Sequence, residues 1–166
     1  RLWLMRPRVT YAWLGLTGIG FSISHWMGLA PLRQTSETGR YLLEHSEPND
    51  RMFVWGQAPR LYLEARRRPA IRFVVTFPLT GYVFGWSAES IAGIDTHRWI
   101  VPGAWSALEE DFTKHPPVYV VDVQVPAKNA HYPVRDFPVL ARLLADRYHR
   151  VARTAEGVIY QMKGAR

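Results

Sequence analysis

The chain has 166 residues, 21 Lys and Arg against 14 Asp and Glu for a net charge of +7, and is 48% hydrophobic and 13% aromatic. That apolar share excludes intrinsic disorder and supports one modest domain with a real core plus one appended element. No cysteine is present, which excludes disulfides, thiolate metal sites and cysteine nucleophiles and leaves the redox compartment open. The positive charge does not point to nucleic acid. Only three Lys occur, and the Arg are dispersed except at Arg66-Arg67-Arg68. There is no C2H2 spacing, RNP-like aromatic strand or helix-turn-helix. A basic surface facing lipid headgroups or an acidic partner is the better reading.

Residues 1–33 read as a membrane anchor helix with a basic cytoplasmic flank. Arg1, Arg6 and Arg8 precede the run from Val9 to Leu32, which has no charged side chain apart from His25. About 20 apolar residues cross the hydrocarbon layer as a helix. Gly15, Gly18, Gly20 and Gly28 suit a transmembrane helix better than a soluble one, and Tyr11, Trp13 and Trp26 stand where interfacial aromatics belong. The flanking arginines place the N-terminus on the cytoplasmic side. Gly18 and Ser22 have the small-xxx-small spacing of helix–helix contacts in membranes. A signal peptide fits less well, because Gly28-Leu29-Ala30 before Pro31 is a poor cleavage site. His25 has two readings: a hydrogen-bonded interfacial imidazole, or a membrane-embedded ligand for a haem or chlorophyll-type metal.

Residues 34–166 read as a soluble α/β domain. Thr35 or Ser36 caps a helix near 36–46, with Tyr41, Leu42 and Leu43 on its apolar side. Glu47-Pro48-Asn49-Asp50 is turn chemistry. Met52-Phe53-Val54-Trp55 is a strand, Gly56 stops it, and Pro59 opens a helix near 58–66. Phe73-Val74-Val75-Thr76-Phe77 predicts a second strand at 72–77. Gly81 to Gly103 reads as a long loop carrying Tyr82, Phe84, Trp86 and Trp99. For Trp86 and Trp99, docking of a partner or lipid-linked acceptor and burial in the domain's own core are both open readings.

Trp105, Leu108 and Phe112 recur at helical spacing over 104–114, and His115-Pro116-Pro117 ends that helix. Val118-Tyr119-Val120-Val121 is a buried strand ending at Asp122, at the carboxyl edge where α/β folds place functional side chains. Phe137, Leu140, Ala141, Leu144 and Tyr148 form one stripe, predicting a helix over 136–150. Gly157 to Met162 gives the last strand. The expected fold class is therefore α/β: one N-terminal transmembrane helix, then a small, mostly parallel sheet covered by helices.

Candidate chemistry is sparse. Asp50, Asp95, Asp122 and Asp136 lie at turns or element ends, without sequence partners for acid–base work. His97, His115 and His131 lack metal-ligand spacing, and no phosphate-binding glycine loop or nucleophile elbow occurs. No catalytic residue, metal site or cofactor is assigned. Arg66, Arg67 and Arg68 suit the phosphate of a lipid carrier, although such a run is more commonly a solvated charge run.

The segments DRMFVWGQAPRLYLEARRRPAIRFVV, HPPVYVVDV, YPVRDFPVLARLLADRYHRV and GVIYQMK together resemble the soluble C-terminal part of polytopic GT-C type glycosyltransferases. These are the dolichyl-phosphate-mannose protein mannosyltransferases and the bacterial lipid-linked aminoarabinose transferases. The resemblance covers Thr35 to Lys163 and rests on a hydrophobic strand, W-G-x-x-P-x-L-Y and R-R-P-A. It implies a bacterial inner-membrane protein with this domain on the periplasmic side, and a polyprenyl-phosphate sugar as partner. The family's catalytic acid lies between N-terminal membrane helices that this sequence does not contain. The expectation is thus a non-catalytic module docking acceptor or partner at the membrane surface. The alternative is a single-pass accessory subunit of a larger membrane complex, photosynthetic or respiratory, held to lipid and to other membrane helices.

Overall fold

The computed structural model describes residues 35–82, 94–124 and 132–165, all but Thr35 within the unit Ser36–Arg166. The expected span at 9–32, with His25, lies outside them. Among the described residues no helix is long and apolar enough to cross a membrane.

The first helix, α1 (Glu37–His45), is capped by the Ser36 hydroxyl, which accepts from the Gly39 N–H. Strand β1 (Arg51–Trp55) follows, then α2 (Arg60–Ala65), which ends with Arg66 in the left-handed region at φ 55°. The two-residue strand β2 (Arg68–Pro69) and a short helix, α3 (Phe77–Thr80), come next. After a 3-10 turn at His97–Trp99, α4 (Ala104–Lys114) leads to β3 (Tyr119–Val123). A second 3-10 turn, Val134–Asp136, precedes α5 (Pro138–Arg147). The chain closes with β4 (Tyr148–Arg153) and β5 (Gly157–Met162).

The α/β class expected from the sequence is what forms, but the sheet is mixed. Its order is β2-β1-β3-β5-β4. β1 pairs in parallel with β2 and β3, whereas β5 is antiparallel to both β3 and β4. The expectation of a mostly parallel sheet is corrected because residues 148–153 are a strand. The helical stripe runs through Tyr148, which is buried in the same core as Leu140 and Leu144. The backbone nevertheless leaves the helix after Arg147. Lys163 holds that helix end: its N–H donates to the Arg147 carbonyl, and its ammonium donates to the Ala145 and Asp146 carbonyls. Edge position suits β4, whose His149, Arg150 and Arg153 are exposed and discourage further pairing.

The strand expected at 72–77 is also corrected. Pro69 carries no N–H, and the ladder beside β1 ends with Ala70 donating to the Met52 carbonyl at 2.8 Å. Arg72 is then drawn to α4. Its backbone N–H and Nε each donate to Asp111 Oδ2 at 2.9 Å, and its Nη2 donates to Asp111 Oδ1 at 2.7 Å. Those bonds, led by the side-chain pairing, hold the Asp111 carboxyl below the usual carboxylate range despite its burial. A backbone donor spent on a helix side chain is unavailable to a strand.

The sheet carries a core on each face. One face packs Leu42 of α1 and Leu61, Tyr62 and Ala65 of α2 on Met52, Val54, Val121 and Ile159. The other packs Leu108 and Phe112 of α4 and Leu140 and Leu144 of α5 on Phe53, Trp55 and Val120. Two buried aromatic polar ends are satisfied: Trp55 Nε1 donates to the Tyr132 carbonyl at 2.9 Å, and the Val54 N–H donates to the Tyr62 hydroxyl at 3.0 Å. Burial pushes the Tyr62 phenol up to about 12.

Gly157 lets β5 approach β3. A Cβ there would stand 2.0 Å from the Asp122 carbonyl oxygen and 2.9 Å from its carbon, both backbone atoms that cannot swing away. Gly157→Ala is therefore expected to lower stability by about 1–3 kcal/mol or more, read from urea unfolding. A midpoint equal to the parent's would contradict this strand contact.

Candidate functional site

The carboxyl end of β3 opens into a cleft of about 450 Å³ between α5 and the β3–β5–β4 side of the sheet. Asp122, Gln124, Arg135, Leu144, Tyr148 and Tyr160 line it. Strand alternation directs Asp122 to the same face as Val120, so its side chain enters the α5 side of the core. The cleft floor is this carboxyl, 5% exposed.

Asp122 is incompletely satisfied. Gln124 Nε2 donates to Oδ2 at 2.7 Å. The buried Oδ1 has no hydrogen-bond partner among the described residues. Burial pushes the carboxyl above the ordinary aspartate value, and the Gln124 bond offsets this only in part. Tyr160 responds to the same surroundings: burial raises its phenol, nearby Asp122 adds to the rise, and Arg150 opposes it. Tyr148 contributes a wall without a free hydroxyl proton, because its hydroxyl donates to the Pro117 carbonyl at 2.7 Å. Arg135 stands at the mouth, its side chain 85% exposed and its Nε 3.7 Å from Asp136 Oδ1.

A second, more apolar concavity of about 270 Å³ is lined by His97, Ile100, Trp105, Asp136, Phe137 and Val139. Trp105 stacks on Phe137 at 5.6 Å, and Phe137 meets Trp55 edge-on at 4.9 Å. His97 beside it pairs with Asp95 at 2.8 Å. Bonds from the His97 backbone N–H, then its ring, lower the Asp95 carboxyl.

The residues singled out in the sequence do not converge. Arg66 and Arg68 are exposed, whereas Arg67 is tied inward: Nε donates to the Ser46 hydroxyl at 2.8 Å and Nη2 to the Ser46 carbonyl. Trp99 is half-buried, with the Arg98 guanidinium 4.0 Å above its ring. Trp86, His25 and His131 lie outside the described residues. Asp50 accepts from the Glu47 N–H at 2.8 Å, a turn role. Asp136 faces Arg135, and His115 is exposed beyond α4. Among the described residues no group of His, Asp or Glu is placed to hold a metal ion. The sequence flags Asp122 as a strand-end carboxylate. Gln124, two residues on, shares its strand face, but the sequence gives no sign of Arg135 or Tyr160 as neighbours, because they reach it from separate segments.

No protein-family model, curated protein or solved structure matches the chain.

Asp122 makes folding pH-dependent with a defined sign. Its folded-state pKa is raised, so the folded chain holds that proton more firmly than the unfolded chain does. Its stability contribution is therefore lost as pH rises through the folded value. Asp122→Asn is expected to stabilise the domain by about 1–3 kcal/mol near neutral pH. The gain in Tm over the parent should shrink toward about pH 3, below the ordinary aspartate value, where the parent's carboxyl is neutral in folded and unfolded chains alike. An equal gain at both pH values would show that the carboxyl is not desolvated.

Proposed function

We propose that this domain is the non-catalytic C-terminal module of a GT-C type membrane glycosyltransferase, docking an acceptor or partner at the membrane surface. The observation that carries the reading is the Asp122 cleft: a single carboxyl at the carboxyl edge of a central strand, walled by tyrosines, an amide and an arginine. Acid–base transfer to a sugar acceptor calls for a base beside the hydroxyl and charge stabilisation for a leaving phosphate. Among the described residues Asp122 is the one carboxyl in the cleft lining and no histidine stands beside it, so the cleft offers a hydrogen-bonding group rather than an acid–base pair.

The segments that carry the resemblance support a scaffold role. In W-G-x-x-P-x-L-Y, Trp55, Leu61 and Tyr62 are all core side chains. Arg66 and Arg68 are the free part of the basic run and supply charge for anionic headgroups or a lipid phosphate.

The whole chain, purified and reconstituted, should give no sugar transfer from polyprenyl-phosphate sugars. It should nevertheless co-sediment with vesicles containing polyprenyl phosphate. Arg66→Ala with Arg68→Ala should weaken that association by about two- to fivefold at low salt. Arg67→Ala should instead lower Tm. Saturable, Asp-dependent transfer, or vesicle binding indifferent to Arg66 and Arg68, would overturn the reading.

A further inference from the structure

We propose that the cleft over Asp122 binds a neutral, hydroxyl-rich group, the chemistry of a pyranose ring or a comparable polyol, with Asp122 as its hydrogen-bond anchor. The inference deepens the docking module proposed above and rests on that reading for the sugar as the natural source. Its physical basis is the cleft itself.

Buried polar atoms are nearly always paired, so an orphaned oxygen on a cleft-lining aspartate that is only 5% exposed as a residue signals a group that completes it. An ionised carboxyl takes a donor at that oxygen and a neutral one offers a proton there, and a hydroxyl can serve either. Charge narrows the choice further. Arg135 lines the cleft and Arg150 is the cross-strand partner of Tyr160, so an ammonium entering the cleft meets two like charges on its way to Asp122. A phosphate is disfavoured at the floor, where it would face a carboxyl in a low-dielectric setting. A neutral hydroxyl escapes both penalties.

The walls fit the same ligand. Tyr148 and Tyr160 present aromatic surface to the C–H faces of a ring, with Leu144 and Ala141 beside them. The Gln124 amide and the Tyr160 hydroxyl add donor and acceptor capacity at the rim. A volume of about 450 Å³ admits a monosaccharide-sized group with room for water. Specificity would then come from hydroxyls reaching polar groups that are otherwise left unpaired.

The test uses the whole 166-residue chain, ¹⁵N-labelled, in a detergent without a sugar headgroup. Methyl α-D-mannopyranoside, myo-inositol, protonated methyl 2-amino-2-deoxyglucopyranoside and inorganic phosphate are titrated separately. The neutral polyols should produce saturable shifts in the amides of Asp122, Gln124 and Gly157. Tighter binding of the mannoside assigns a sugar ring as the source, and tighter binding of inositol assigns a cyclitol headgroup. Asp122→Asn, which keeps an oxygen for the Gln124 amide and puts an N–H donor in place of Oδ1, should bind within about threefold of the parent, because a ligand hydroxyl accepts as well as donates. Asp122→Val, which lacks the acceptor, should bind at least about tenfold more weakly with its Tm maintained. Tyr160→Phe, which keeps the wall, should lie between them. The proposal is overturned by absence of saturable shifts with either polyol, by tighter binding of the ammonium sugar or phosphate, or by undiminished binding in Asp122→Val. Polyol binding without vesicle association would leave this site standing and remove the membrane-docking reading. Vesicle association without polyol binding would do the reverse.

Discussion

Burial of β3 on both faces is the constraint from which the rest of the domain follows. All five of its residues, Tyr119–Val123, are buried. A strand buried on both sides needs a hydrogen-bonded neighbour at each edge and a packed layer above and below. β1 and β5 supply the edges. Helices α1 and α2 close one face, and α4 and α5 close the other. Because successive residues alternate between faces, the strand that makes the core continuous also carries Asp122 into it. The candidate site is thus a consequence of the packing rather than an addition to it.

Polar clasps hold the periphery where apolar cover runs out. The Ser36 hydroxyl and N–H both donate to Glu64, and the Thr38 hydroxyl donates to Glu156 at 2.6 Å. Arg60 reaches Glu64 at 2.9 Å and Glu156 at 3.5 Å. This network joins the start of α1 to α2 and to the β4–β5 turn. Burial alone would raise the Glu156 carboxyl, but the Thr38 hydroxyl and N–H outweigh it and keep the group ionised. On the opposite face Arg72 and Asp111 fix the chain between β2 and α3 against α4. Both clasps use one side chain to satisfy several donors at once, which fixes geometry more firmly than an exposed ion pair does.

Asp122 differs from these carboxylates in having no cation. Asp111 and Glu64 are matched by arginines, and their burial is compensated. At Asp122 a single amide bond stands against nearly complete burial. Uncompensated polar burial at a strand end, next to a cleft, is where a fold departs from stability and where binding is to be sought. That contrast, within one chain and among the same residue type, favours Asp122 over Asp50, Asp95 or Asp136.

The sequence by itself determined the α/β class and most of the elements. Runs such as Met52–Trp55 and Tyr119–Asp122, and the stripe Trp105, Leu108 and Phe112, are local patterns with periods of two or 3.6 residues that nothing nearby contradicts. It misassigned 72–77 and 148–150 because competition decides both. Arg72 spends its N–H on Asp111, and Tyr148 reaches the helical core from a strand backbone. Strand direction was equally out of reach, since pairing joins segments about 40 residues apart and no local period records it. Asp122 was visible as a strand-end carboxylate. Only the tertiary structure could show its free oxygen, because a missing partner belongs to the space around a side chain and not to the residues beside it in the chain.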